Sequence, residues 1–182
     1  ELSSISKLDG QLRAHAKAPI SSGLALDAFV PEGHWLKTGA EVCIIGAGGS
    51  ALSISAYLGN EERHGKDLPS RIHLNNRSAP RLAEGVRILE YLNVPMSYHL
   101  CKTPELNDRI VEALPAGSLV INATGLGKDR PGSPLTDHCK FRDSGVVWAL
   151  NSGGPVEVRP QAEAHRERRW RLIVAVSRDC NQ

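Results

Sequence analysis

No apolar run in this 182-residue chain approaches the roughly 20 residues that a bilayer-spanning helix needs, and its N-terminus carries no signal-peptide pattern. A soluble, cytoplasmic protein with no membrane partner is therefore expected. Charge of one sign is also scarce: 22 Lys and Arg stand against 20 Asp and Glu, a net charge of +2. That balance offers no footprint for nucleic acid, whose partners concentrate basic residues in a patch. The densest basic run, Arg166 to Arg171, reads as the solvated face of a helix. The 4 cysteines, Cys43, Cys101, Cys139 and Cys180, include no C-x-x-C pair, so neither zinc nor redox chemistry is indicated. They fit free thiols in a reducing compartment, with Cys43 a small buried hydrophobe. The 7 histidines form no H-x-x-x-H pair and no cluster with cysteine, and no metal site is expected. Repeats and low-complexity tracts are missing too.

What remains is an ordinary globular composition, 41% hydrophobic and 23% charged, at a length suited to one domain or one domain plus fragments of a neighbour. The chain starts at Glu1, and ELSSISKLDGQLRAHAKAP reads as a connecting segment that follows an upstream portion. From Glu41 onward, strand and helix patterns alternate. Glu41 to Ile45 is a short apolar strand ending in glycines, and Ser50 to Leu58 a helix with Leu52, Ile54, Ala56 and Leu58 inward. Gly59 to Ser70 reads as a loop, Arg71 to Leu74 as the second strand, and Ala79 to Leu92 as a helix buried through Leu82, Val86 and Leu89. Met96 to Leu100, Leu119 to Asn122 and Gly145 to Leu150 are further strands, with a helix over Asn107 to Leu114. Such alternation predicts an α/β fold of the Rossmann type, a doubly wound, mostly parallel sheet with helices on both faces.

A sheet of that kind binds ligands beyond the carboxyl ends of its strands. The segments to inspect are Gly46 to Ser50, Asn75 to Ser78, Ala123 to Gly127 and Asn151 to Pro155. The first is Gly46-Ala47-Gly48-Gly49-Ser50-Ala51, a G-x-G-x-x-A turn between strand and helix. Gly46 permits the tight turn, Gly48 lets backbone approach a pyrophosphate, and Ala51 lets helix and strand pack closely. The helix that follows aims its free N–H groups and positive dipole end at the phosphates.

Units that hold NAD usually end the second strand in Asp or Glu, whose carboxylate accepts from the ribose hydroxyls. Here the strand ends in Asn75-Asn76-Arg77-Ser78, with Arg81 one helical turn further on and no acid. A carboxylate would repel a 2′-phosphate, whereas Arg77 meets it with a planar charged fork, Asn76 and Ser78 donate hydrogen bonds, and Arg81 adds charge. NADP is the expected cofactor.

Taken together, Ile44 to Leu58 (IIGAGGSALSISAYL), Leu74 to Ala83 (LNNRSAPRLA), Val120 to Gly127 (VINATGLG) and Val146 to Pro155 (VVWALNSGGP) resemble the shikimate and quinate dehydrogenase family. Leu8 to Ser22 resembles the end of that family's substrate domain and its link to the nucleotide domain. The resemblance implies an NADP-dependent oxidoreductase that moves a hydride between NADP and a ring hydroxyl of shikimate or quinate. Asn76, Arg77 and Ser78 would hold the 2′-phosphate, and Ala123 and Thr124 would lie on the nicotinamide side. The implied domains are 1–35, a linker and the tail of a substrate domain; 36–155, the NADP-binding domain; and 156–182, a closing helix and strand.

Alcohol dehydrogenation needs a positioned acid/base pair, which the resemblance places on a lysine upstream of Glu1 and an aspartate. The aspartate position falls at Ala18 or, counted back from the glycine turn, near Ser22, and Asp9 and Asp27 match only after a shift. Around the last strand, Ala149 and Ser152 stand where the family carries an aspartate and a tyrosine. Gln161 and Gln182 are the stand-ins for its closing glutamine. No catalytic residue is assigned, and a nucleotide-binding module without turnover is the rival expectation. An NADP domain like that of glutamyl-tRNA reductase fits less well before the glycine turn. Trp148 is expected in the core, Trp35 over the sheet edge, Trp170 against the last helix, and His73 packed with a local hydrogen bond.

Overall fold

A computed structural model describes residues 4–15, 17–126, 132–150 and 171–174. Within the expected connecting segment the chain forms a two-stranded antiparallel hairpin, β1 (Ser4–Leu8) and β2 (Gln11–His15). Asp9 and Gly10 link them with φ of 51° and 79°. Two successive left-handed residues give the turn a twist that matches paired strands, and an Asp-Gly step supplies them cheaply.

A helix, α1 (Ala18–Asp27), follows with Pro19 in its first turn, where a missing N–H costs nothing. The short α2 (His34–Thr38) is bounded by left-handed Gly33 and Gly39. The Asp67 carboxylate accepts from Gly33 N–H at 2.7 Å and Leu36 N–H at 3.0 Å, tying α2 to the body. Trp35 lies inside the core beside Leu26 and Ala40 rather than over the sheet edge.

The remaining chain winds a sheet. Its elements are β3 (Val42–Ile45), α3 (Gly49–Leu58), α4 (Glu61–His64), β4 (Ile72–Asn76), α5 (Ala79–Leu89), β5 (Met96–Leu100), α6 (Pro104–Ala113), β6 (Leu119–Asn122), β7 (Val146–Ala149) and β8 (Arg171–Val174). Six strands pair in the order β5-β4-β3-β6-β7-β8, all parallel. The doubly wound α/β expectation holds.

Successive side chains in a strand point to opposite faces, so a strand covered on both sides must be apolar throughout. Val42, Ile44, Ile72, Leu74, Leu119, Ile121 and Trp148 fill one layer together with Ala51, Ile54 and Leu58 of α3 and Leu82 and Leu89 of α5. Cys43, Ile45, Val120 and Val147 face the other way, onto Val111, Leu114, Leu135, Cys139 and Phe141. Each such aliphatic side chain contributes roughly 1.5–3 kcal/mol by leaving water.

Several sequence expectations shift by a fraction of a turn. In α3 the buried residues are Ala51, Ile54, Ser55, Tyr57 and Leu58, while Leu52 and Ala56 are only half-buried. In α5 Gly85, not Val86, faces β4: a Cβ on Gly85 would lie 3.0 Å from Leu74 Cδ2, and Val86 is exposed. α5 stops at Leu89, and β4 runs on through Asn76 because Asn75 and Asn76 pair with His99 and Leu100. The loop from Gly59 to Ser70 contains α4, capped by Asn60, whose Oδ1 accepts from Arg63 N–H at 3.1 Å.

His73 has more than a local partner. Its Nε2 lies 2.8 Å from Glu41 Oε2 and its Nδ1 lies 3.0 Å from His99 Nε2, with the two imidazoles stacked. Among the described residues no helix is long and apolar enough to cross a membrane, and no cluster of His, Cys, Asp and Glu could hold a metal ion.

Candidate functional site

The winding direction reverses between β3 and β6. From β3 the chain proceeds outward through β4 and β5, and from β6 through β7 and β8 in the other direction. The loops leaving these two central strands therefore diverge and open a crevice at the carboxyl edge. A cavity of about 660 Å³ occupies it, within the size range of small-molecule sites.

Two glycines of the first turn have different duties. Gly46 has φ of +117°, and a Cβ there would lie 2.6 Å from the Ala123 carbonyl oxygen. Neither neighbour can yield easily: Gly46 N–H donates to Asn75 O at 2.8 Å, and Ala123 N–H donates to Ile45 O at 2.9 Å. Gly48 is extended, with φ −91° and ψ −177°, and a Cβ on it would meet nothing within 4 Å. Its α-carbon faces open space in the cavity wall. α3 begins at Gly49 without a side-chain cap, which leaves first-turn N–H groups free. Gly46, Ala47 and Gly48 line the cavity; Gly49 and Ser50 form the first turn of α3 behind them.

Beyond β4, Asn76, Arg77, Ser78 and Arg81 line the same cavity. Asn76 Oδ1 accepts from Ser78 N–H at 3.1 Å, so this side chain shapes the turn and keeps only its amide donors for a ligand. Beyond β6, Ala123, Thr124, Gly125 and Leu126 line it as well. The buried Asn122 organises that loop: its Oδ1 accepts from Thr124 N–H at 3.0 Å and from Thr124 Oγ1 at 2.7 Å, and Thr124 Oγ1 accepts from Leu126 N–H at 3.2 Å. The Asn-Ala-Thr step is thus a self-closing turn.

The cavity also takes residues not singled out in the sequence. Cys101, Lys102 and Thr103 follow β5, and Asn107, Ser133 and Pro134 close the floor. The strand-end rule applied to β5 would have found the first group. Asn107 gave no signal, since its position depends on how α6 docks. Asn75 Nδ2 donates to Asn107 Oδ1 at 3.1 Å, and Asn107 Nδ2 donates to Pro134 O at 2.9 Å, a ladder of amides buried under the cavity. Asn75 Oδ1 is buried with no partner among the described residues. Burial pushes the Cys101 thiol up, and Cys43, beneath the floor, is raised further by burial and by Cys101, so neither is a ready nucleophile.

Electrostatically the cavity has one sign. Arg77, Arg81 and Lys102 line it, and no Asp or Glu does among the described residues. Among the described residues these three cations have no ion pair and no side-chain hydrogen bond.

The positions where the family resemblance expects an acid lie elsewhere. Ala18 opens α1, Ser22 is inside it, and Ala149 is buried at the end of β7. Asp9 sits in the hairpin turn, and Asp27 accepts from Tyr57 Oη while pairing with Arg63. Gly127, the Asn151–Pro155 loop, Ser152, Gln161, Trp170, Cys180 and Gln182 lie outside the described residues, as does 166–170 of the expected basic helix; Arg171 begins β8.

Parallel strands in this order around a glycine turn define the Rossmann class of α/β folds. Comparison with solved structures narrows the likeness. The 5-ketofructose reductase of Gluconobacter sp. strain CHM43 superposes with a TM-score of 0.61 at 18% identity, over 93% of this chain and 55% of that one. Quinate dehydrogenase from Corynebacterium glutamicum gives 0.55 at 16% identity, over 77% and 45%. Shikimate dehydrogenase from Mycobacterium tuberculosis gives 0.56 at 13% identity, over 95% and 56%. The chain thus shares the fold of about half of each of these enzymes, which include the two kinds its sequence resembles. No family model matches the sequence, and no curated protein does.

Proposed function

We propose that residues 36–155 are the NADP-binding domain of an oxidoreductase of the shikimate and quinate dehydrogenase type, with 1–35 linking it to a substrate domain and 156–182 closing it. The observation that carries this reading is a cavity lined, among the described residues, by three cations without an ion pair and by no acid, and opened by a glycine turn. Gly48 supports the fit, because the space a Cβ would fill is free for a pyrophosphate oxygen. Ala47, Gly48, Gly49 and Ser50 present backbone N–H groups to the pyrophosphate, and Gly46, its own N–H held by Asn75 O, makes the turn that brings them there. Asn76, Arg77, Ser78 and Arg81 take the 2′-phosphate, and Ala123 and Thr124 flank the nicotinamide.

NADP, when bound, supplies hydride transfer to and from the ring carbon of a shikimate- or quinate-like substrate. The chain's own share is binding and orientation. Arg77 can form two parallel charged hydrogen bonds to a phosphate, and the Asn122-anchored turn fixes the wall at Thr124. A cytoplasmic enzyme of aromatic amino acid biosynthesis goes with this reading. The quinate dehydrogenase compared above was solved with NAD; the absence of an acid after β4 is what directs this chain to NADP.

A second reading, a nucleotide-binding module without turnover, is favoured by one observation. Proton removal from a hydroxyl needs a base, and neither Ala18 nor Ser22 is one, nor does any carboxylate line the cavity among the described residues.

Titration of the chain with NADP and NAD tests the cofactor assignment. NADP should bind at least about tenfold more tightly, and Arg77→Ala should remove most of that preference, a loss of roughly 1.5–3 kcal/mol for a charged hydrogen bond. Equal binding, or an unchanged Arg77→Ala, refutes it. An absorbance assay of NADP reduction with shikimate and quinate separates the two readings: turnover excludes the inert module, and tight binding without turnover supports it.

A further inference from the structure

Lys102 belongs to no motif in the sequence. It stands where β5 ends, and the backbone places it: Cys101 N–H donates to Asn76 O at 2.8 Å, so the chain leaves β5 alongside the Asn76-Arg77 step. Lys102 lines the cavity that Arg77 and Arg81 line, and like them has no ion pair among the described residues. An acid is close in sequence. Glu105, in the first turn of α6, is instead held as a carboxylate by the Thr103 hydroxyl and its own backbone N–H, and does not line the cavity. The start of α6 is therefore already served by its own side chain, and the positive charge on this wall comes from Lys102.

We propose that Lys102 is a third phosphate-binding cation, closing the adenosine 2′-phosphate subsite from the β5 side while Arg77 and Arg81 close it from the β4–α5 side. This rests on the NADP reading and adds to it a specificity-determining residue. Three cations lining one cavity, with no carboxylate among the described residues, suit a phosphate dianion better than a ribose hydroxyl, which needs an acceptor. Lysine at the rim acts as a mobile point charge, complementing the fixed fork of arginine.

The test is calorimetric titration of the full chain with two probes, adenosine 2′,5′-bisphosphate and ADP. Lys102→Gln should weaken the bisphosphate about tenfold, corresponding to about 1.4 kcal/mol, and leave ADP within about twofold. Lys102→Arg should restore bisphosphate binding, and the salt dependence of that binding should be shallower in Lys102→Gln than in wild type. Melting curves establish that each variant is folded. If Lys102→Gln changes neither probe while Arg77→Gln weakens the bisphosphate alone, the Lys102 assignment is wrong and the NADP reading stands. Equal weakening of both probes by Lys102→Gln places the lysine on the pyrophosphate or the base and also overturns the assignment. If the wild-type chain binds both probes equally, the NADP reading fails and the assignment with it.

Discussion

Replacing each of the two turn glycines by alanine should separate folding from binding. At Gly46 the added methyl meets the Ala123 carbonyl oxygen at 2.6 Å and its carbon at 2.8 Å, and the backbone sits at φ +117°. Left-handed strain in a non-glycine residue costs of order 1–3 kcal/mol, and overpacking against atoms that cannot move costs roughly 1–3 kcal/mol more. Relief would require β3 and β6 to separate, breaking the Ala123 N–H bond to Ile45 O. A loss of about 3 kcal/mol is expected for Gly46→Ala, a fall in Tm of roughly 6–12 °C for a chain of this size. At Gly48 the methyl enters open space from an extended backbone that any residue adopts. Gly48→Ala should therefore stay within about 0.5 kcal/mol of wild type in stability. It should bind NADP roughly thirtyfold more weakly, the effect of about 2 kcal/mol of steric conflict with a pyrophosphate. Urea unfolding and calorimetric titration read the two quantities. A Gly48→Ala variant with unchanged affinity would show that no phosphate approaches that turn, and an unchanged Tm for Gly46→Ala would sink the packing argument.

Other perturbations test the surrounding frame. A Cβ on Gly23 of α1 would lie 2.1 Å from Tyr57 Cε2, and that ring is pinned by the Asp27 carboxylate and Arg63 Nε, so Gly23→Ala should cost about 2–4 kcal/mol in urea unfolding. Burial, with His73 beside it, holds the His99 imidazole below its ordinary 6.5. The unfolded chain then binds the extra proton first, so this contribution is complete above about pH 6.5 and is lost as pH falls through the folded value. Melting curves from pH 7.5 to 5 should show a shallower decline for His99→Gln than for wild type, and parallel declines would contradict the assignment. Asn107→Ala would leave the buried Asn75 amide with only the weak Cys43 sulfur as acceptor. A loss of roughly 1–3 kcal/mol is expected, whereas an unchanged unfolding midpoint would mean that the ladder under the cavity carries no weight.

Local chemistry was enough for the glycine turn, for β5 and β6 to the residue, and for the parallel sheet. Gly-x-Gly after an apolar run restricts what the backbone can do, and doubly buried strands must be apolar. The Asp9-Gly10 hairpin was legible in principle, but only 5 residues flank the turn on each side, too few for alternation to stand out. Which face of α5 points inward depended on close approach at Gly85, where a small residue hides from a pattern that counts large ones, whereas the glycine motif already marked Ala51 of α3.

Everything that needs two distant segments at once was decided by the fold. Parallel register brings Glu41, just before β3, His73 of β4 and His99 of β5 into one chain of contacts, although no two are close in sequence. Docking of α6 puts Asn107 under the cavity, and the exit of β5 beside Asn76 puts Lys102 on its rim. A sequence specifies its turns through the torsions each residue tolerates. It specifies a cavity only through packing, because the charges that share a cavity are set by which strand ends lie side by side.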